Sequence, residues 1–344
     1  MKKHVNIPIF IPHLGCPNQC VFCNQRTITG RKEFDPESVR EIIDSALATI
    51  TSQTEVEIAF FGGSFTGIDE GLMIRLLEIA ASYINIGKVS SIRCSTRPDY
   101  INESIIGILK KYGVKCVELG LQSISDCVLD VTKRGHTSKD SSRACQMIVD
   151  SGLTLVGQMM IGLPGATLES EMETAEFIIS MGAEAARIYP TVVFKDTELY
   201  YMAESGLYTP LSVQDAIVRS ARVLEKFIDS GIDVIRIGLC ASENLASPDT
   251  YYGGPNHPAL GELVENEYYF NKIYKQISDS GKDIEKVYIY IAKGALSKAI
   301  GQKRKNKLRL KSFLPSTEFI FIEDSNIEGY GIRIEIEERK DKCT

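Results

Sequence analysis

The chain has 344 residues, 44% of them hydrophobic, and a formal net charge of −6. That length allows one large α/β barrel or about two ordinary domains, with enough apolar content for a proper core. An acidic chain is not a general polyanion binder, and apolar runs of strand length broken by Gly or Pro do not make a membrane span.

Strand-like and helix-like patterns alternate along the chain. "VNIPIFIP" (5–12) reads as a strand leading into a cysteine-rich loop, and "DPESVREIIDSALATI" (35–50) as a helix with Asp35 as N-cap and Pro36 at its first position. Strands follow at 56–63, 89–98, 114–123, 153–164 and 185–194, separated by helices near 69–84, 102–111, 124–151 and 167–180. A long helix, 212–230, then precedes "IDVIRIGL" (232–239), which closes the series. Strict alternation implies parallel strands with helical crossovers. The first strand ends in a cysteine loop and not in a G-x-G-x-x-G turn, which favours a barrel over a nucleotide-binding open sheet. Residues 241–263 are rich in Pro, Gly and Ser and read as loop. A helix from 260, strands at 286–292, 318–323 and 331–338 and a basic stretch then read as a small α+β appendage. The expected division is 1–240 for the barrel and 241–344 for the appendage.

Charge and cysteine are unevenly spread. "KGALSKAIGQKRKNKLRLK" (293–311) holds eight Lys or Arg and no acid, and residues 312–344 hold four bases against eight acids, leaving −10 on residues 1–292. The N-terminal "MKKHVNIPIFIPHLGC" lacks the uninterrupted apolar region of an exported lipoprotein. Nine cysteines without an export signal argue for reduced thiols in a cytoplasmic protein. Cys94, Cys116, Cys127, Cys145 and Cys240 fall in apolar patterns and read as small packed hydrophobes.

The carboxyl end of every strand carries polar or backbone-exposing residues, and parallel α/β barrels build their sites at that edge. Cys16, Cys20 and Cys23 follow the first strand, and Gly62, Gly63 and Ser64 the second. "STRPD" (95–99), "LGLQS" (119–123), "MMIGLPG" (159–165) and "YPTVVF" (189–194) end the next four. Soft thiolates spaced C-x3-C-x2-C select zinc, copper(I) or iron–sulfur. Structural zinc takes four ligands, and His13 is the nearby candidate for the fourth. An iron–sulfur cube on three thiolates leaves one iron open to another ligand. Phe22, before the last cysteine, either shields its edge or belongs to the core.

The cysteine pattern, with its aromatic residue, resembles that of the radical S-adenosylmethionine (SAM) superfamily. The resemblance implies a partial (β/α)6 TIM-like barrel and a [4Fe-4S] cluster on Cys16, Cys20 and Cys23. It also implies S-adenosyl-L-methionine chelated at the fourth iron and cleaved reductively to methionine and a 5′-deoxyadenosyl radical. The electron would come from a low-potential donor, about −400 mV or below for such centres. By the same resemblance, Gly62, Gly63 and Ser64 match a glycine motif that meets the SAM amino group. Arg134 matches an arginine that takes the SAM carboxylate, a task suited to a guanidinium fork. Gln122 matches another SAM contact and Gln158 a ribose contact. Ser95 departs, because many relatives carry a glutamate there and a hydroxyl cannot supply its charge. His136 either caps the helix after "RGHT" or faces the reaction centre, and Tyr189 either faces it or packs.

"GGSF", "RCSTRPDY", "VELGLQS", "RGHT", "DSG", "MMIGLP" and "YPTVVFKDTELY" occur in order over residues 62–201. This ordered set resembles the radical SAM domain of the Elongator catalytic subunit, a tRNA wobble-uridine-modifying enzyme. Two features differ: Elongator enzymes space their first two cysteines more widely, and they carry an acetyltransferase domain for which the residues after Leu239 leave too little room. The resemblance implies RNA modification, with tRNA or another RNA held on the basic segment 293–311. The alternative readings are the same chemistry on a small molecule such as a tetrapyrrole, and a zinc-holding scaffold without catalysis.

Overall fold

The computed structural model describes residues 3–11, 15–16, 20–24, 34–51, 54–239, 247–280 and 283–339. The expected roles of His13 and Cys240, and the start of the expected 241–263 loop, lie outside the described residues.

Seven strands form one sheet with every adjacent pair parallel. They are β1 (Lys3–Ile11), β2 (Thr54–Gly62), β3 (Ser91–Thr96), β4 (Val114–Gln122), β5 (Thr154–Ile161), β6 (Ala185–Pro190) and, beyond a short β7 (Val193–Phe194), β8 (Asp233–Ile237). Their spatial order follows the chain, and the connections hold α1 (Ser38–Leu47), α2 (Glu70–Asn85), α3 (Glu103–Lys111), α4 (Asp126–Val131), α5 (Ser138–Asp150), α6 (Leu168–Ser180), α7 (Glu198–Glu204) and α8 (Val213–Asp229). This is the expected α/β partial barrel, six βα beats and a closing strand.

Local chemistry sets the helix starts. Asp69, Asn102, Thr137, Thr167 and Ser212 each accept a hydrogen bond from a first-turn N–H, with full capping boxes at Thr137 and Thr167. Asp35 does not cap α1. Its carboxylate takes the Glu37 N–H at 2.9 Å, closing a local turn, and the helix begins only at Ser38. The expected helical stretch 124–151 is two helices, broken where Lys133 adopts φ 53°.

Successive side chains of a strand point to opposite faces. Ile58 and Phe60, Ile92 and Cys94, Val117 and Leu119, and Ala186 and Ile188 join the apolar core beneath the helices. Charge sits between or beside them, on Glu57, Arg93, Glu118 and Arg187. Glu118, 0% exposed, accepts from Arg93 Nη1 (3.1 Å), Gln158 Nε2 (2.8 Å) and Arg187 Nε and Nη2 (2.7 and 2.9 Å). Glu57 accepts from Arg93 Nε at 2.7 Å and pairs with His4 at 2.9 Å. Burial opposes its charge, yet Ser91 and Arg93 hold its carboxyl below the usual range. One polar layer thus runs across β1 to β6.

After the barrel, β9 (Tyr251–Gly253) pairs antiparallel with β7, inside the stretch read as loop. Three residues flanked by glycine carry no periodicity that would announce a strand. Then α9 (Leu260–Ser278) packs against α8 and β8. A second sheet has the order β11 (Glu318–Asp324), β10 (Ile284–Ala292), β12 (Ile332–Glu338), with β10 parallel to β11 and antiparallel to β12. The basic stretch folds into α10 (Leu296–Ile300) and α11 (Lys305–Phe313), joined through left-handed Lys303 and Arg304. One apolar core continues from β1 through α9 into β10 and β11. Among the described residues no helix is long and apolar enough to cross a membrane.

Candidate functional site

The cysteine loop leaves β1 and lies against the turn that ends β2. Gly15 has φ 77°, and a Cβ there would sit 2.2 Å from the Ser64 carbonyl oxygen, so only glycine allows this main-chain contact. At Gly62, φ 110°, a Cβ would sit 2.8 Å from the Ile11 oxygen, which accepts the Gly63 N–H at 2.7 Å. Packing of strand ends therefore accounts for Gly62. Ser64 is buried, its hydroxyl shared with Thr96 Oγ1 (2.8 Å) and taking the Arg97 N–H at 3.2 Å. Its own N–H is directed at the Cys16 thiol; burial pushes that thiol up, against this N–H and the Arg97 charge.

Cys20 is buried, and Cys16 and Cys23 are half-buried. The Val21 N–H donates to Thr132 O (3.2 Å) and Leu199 N–H donates to Val21 O (2.8 Å), fixing the loop between α4 and α7. Phe22 packs beside Val21, Val193, Leu199 and Tyr208, so it belongs to a small core. Among the described residues no three Cys, His, Asp or Glu side chains converge as around a metal.

Two guanidinium groups face Cys20. Arg134 Nη1 lies 3.3 Å from its sulfur and Nη2 donates to Gly120 O at 2.6 Å. Arg97 Nη1 lies 4.0 Å from the same sulfur, while Nε and Nη2 grip Asp99 at 2.9 Å each and Nη2 also reaches the Arg134 carbonyl. Arg97 is 3% exposed and Arg134 6%. Among the described residues Arg134 has no carboxylate partner, and its Nε is buried without a hydrogen bond. A buried cation without a counter-ion is costly, so the site is electrostatically ready for an anion.

Gln122 ends β4 at a bulge with φ 67°, and its Oε1 is buried without a partner. Backbone strain and an orphaned acceptor thus coincide at this position. Its Nε2 and Arg134 Nη2 both lie over Gly120, where a Cβ would come within 3.0 and 3.4 Å of them. Gln158 Nε2 is spent on Glu118 and on Ser95 Oγ (3.1 Å), so that only Oε1 of the amide remains to accept from another group. Ser95 is thus tied to Gln158.

His136 does not cap a helix, since Thr137 does; it is 4% exposed, and among the described residues its ring interacts with the Leu121 backbone without a well-formed hydrogen bond. Burial, with Arg134 and Arg97 nearby, lowers its pKa to about 4. Tyr189 hydrogen-bonds Arg187. Cys94, Cys116 and Cys145 are buried as expected, and burial pushes Cys116 and Cys145 up to about 12. Cys127 is exposed instead, because α4 is a short separate helix and turns that residue outward. Sequence reading passed over Arg97, whose signal was an arginine inside a Pro-Asp turn at a strand's carboxyl end. It also passed over Glu118, an isolated acid in an apolar strand.

Two family models match in succession, the radical SAM superfamily over residues 10–178 and the radical SAM C-terminal domain over residues 183–269. The chain belongs to the radical SAM superfamily and is an enzyme. Within that superfamily it is 30% identical over 243 residues to a tRNA uridine(34) acetyltransferase of Methanocaldococcus jannaschii, covering 59% of this chain and 45% of that one. It is 30% identical over 249 residues to Elongator complex protein 3 of Mus musculus, covering 64% and 45%. The chain therefore spans under half the length of these relatives. A solved structure of archaeal Elp3 from Methanocaldococcus infernus shares the fold, with TM-score 0.58 and 24% identity over 82% of this chain and 64% of that one.

Proposed function

We propose that this enzyme binds a [4Fe-4S] cluster through Cys16, Cys20 and Cys23 and S-adenosyl-L-methionine beside it, and modifies RNA, with tRNA as the leading substrate. The observation that carries the reading is the pair of buried guanidinium groups at Cys20, one of them lacking a carboxylate partner. Bound together, cluster and SAM supply a 5′-deoxyadenosyl radical on one-electron reduction by a low-potential donor. Arg134 would take the SAM carboxylate through its fork, and the Gly62–Ser64 backbone the amino group. The Gln122 amide, buried with an unused acceptor, suits a further polar contact. Gln158 offers an acceptor to a ribose hydroxyl because its NH2 is already engaged. Ser95 supplies no carboxylate, so that SAM contact is absent or replaced.

The RNA part of the proposal is supported by the likeness to a tRNA uridine(34) acetyltransferase and by the basic segment. Lys293, Lys303, Arg304, Lys305 and Lys307 are exposed, whereas Lys298 and Arg309 are paired with Glu265 and Glu267. Acetyl transfer is left out, since less than half of each relative is matched. A cytoplasmic setting would keep the thiols reduced.

Anaerobic reconstitution tests the proposal. About four irons per chain, and 5′-deoxyadenosine released with dithionite and SAM, are expected. Deoxyadenosine formation should rise with tRNA and not with tetrapyrroles. Stoichiometric zinc without iron uptake would refute the cofactor assignment, and stimulation by a small-molecule pool alone would refute the RNA assignment.

A further inference from the structure

We infer that Arg97 and Asp99 form a charge pair that sets the reduction potential of the metal centre held at Cys20. The inference rests on the proposed cluster. Arg134 already has a task by resemblance to the family; Arg97 has none, yet it is the more deeply buried of the two. Its fork is divided. Nε and Nη2 are neutralised by Asp99, Nη2 also ties down the Arg134 carbonyl, and Nη1 alone is left toward the Cys20 sulfur at 4.0 Å. Asp99 stands on the solvent side of the pair, its side chain 25% exposed against 4% for Arg97.

The consequence follows from charge alone. Reduction adds a negative charge to the centre, and a fixed cation beside a ligand sulfur stabilises the reduced form, raising the potential. Around Cys20 there are two guanidinium charges and one carboxylate, a surplus of positive charge in a buried setting where Coulomb interactions are weakly screened. Asp99 offsets part of what Arg97 contributes. Removing the cation and removing its carboxylate must therefore move the potential in opposite directions.

The test is an EPR-monitored redox titration of the reconstituted full chain, without SAM or substrate, with iron content measured on each sample. Arg97→Gln should shift the midpoint downward and Asp99→Asn upward, while iron per chain stays at the wild-type level. Unshifted midpoints in iron-replete variants, or shifts of the same sign, overturn the inference. If Arg97→Gln loses iron or fails to fold, Arg97→Lys restores the charge and should recover the wild-type midpoint. If that variant fails as well, Asp99→Asn decides alone, and the absence of an upward shift overturns the inference. A wild-type chain that takes up no iron refutes the proposed cluster itself. That outcome is distinguishable, because iron content is read before any potential.

Discussion

Replacing Glu118 by Gln keeps the volume of a fully enclosed side chain and removes its charge. In the native barrel that carboxylate accepts two bonds from Arg187, one from Arg93 and one from Gln158. After the change Arg93 retains Glu57, but Arg187, whose side chain is 12% exposed, has no carboxylate left among the described residues. Breaking a buried ion pair on one side costs about 3–5 kcal/mol. Whole domains are stable by only about 5–15 kcal/mol, so the variant should lose a large share of its stability. Urea unfolding under anaerobic conditions, followed by circular dichroism, measures the loss. Arg187→Gln made alone should cost a similar amount. The double variant should cost at least about 1 kcal/mol less than the sum, because it no longer strands one charge. A Glu118→Gln loss below about 1 kcal/mol, or strict additivity in the cycle, would show that the layer is not an interdependent charge network.

Three further outcomes are expected. Arg134→Ala should weaken SAM binding measured by calorimetry, and equal affinity would remove it from the SAM site. His136 titrates near 4 in the fold against about 6.5 when unfolded, so the unfolded chain binds the extra proton between those values. Stability should therefore be full above about pH 6.5 and fall by about 3 kcal/mol as pH drops toward 4, a slope that His136→Leu should flatten. Changing Lys303, Arg304, Lys305 and Lys307 to Gln should lower RNA affinity and reduce the log–log salt slope by about 3, and an unchanged slope would move RNA binding elsewhere on the protein.

The barrel was legible because its evidence is local: apolar strands at a regular beat, helix-like patterns between them, and polar residues at each carboxyl edge. The three cysteines stand out in the sequence because their spacing is itself a chemical statement. What escaped depends on partners distant in sequence. Glu118 looks like an oddity in "VELGLQ" until Arg93, Gln158 and Arg187 are brought beside it from three other strands. Arg97 reads as part of a turn until the fold sets it against Cys20. The β7–β9 pair joins segments more than fifty residues apart, too short to show a period. Of the two readings open for His136, the cap fails for the opposite reason, since Thr137 next to it is the better capping residue.

The apolar core that runs unbroken from the first strand into the terminal sheet has a mechanical meaning. A unit joined in that way cannot swing on a hinge without exposing what it buries, so the terminal sheet and the barrel strands move as one. An RNA held as proposed at Lys303–Lys307 would then be measured against the barrel as if against a ruler, and the nucleotide it presents would be chosen by reach.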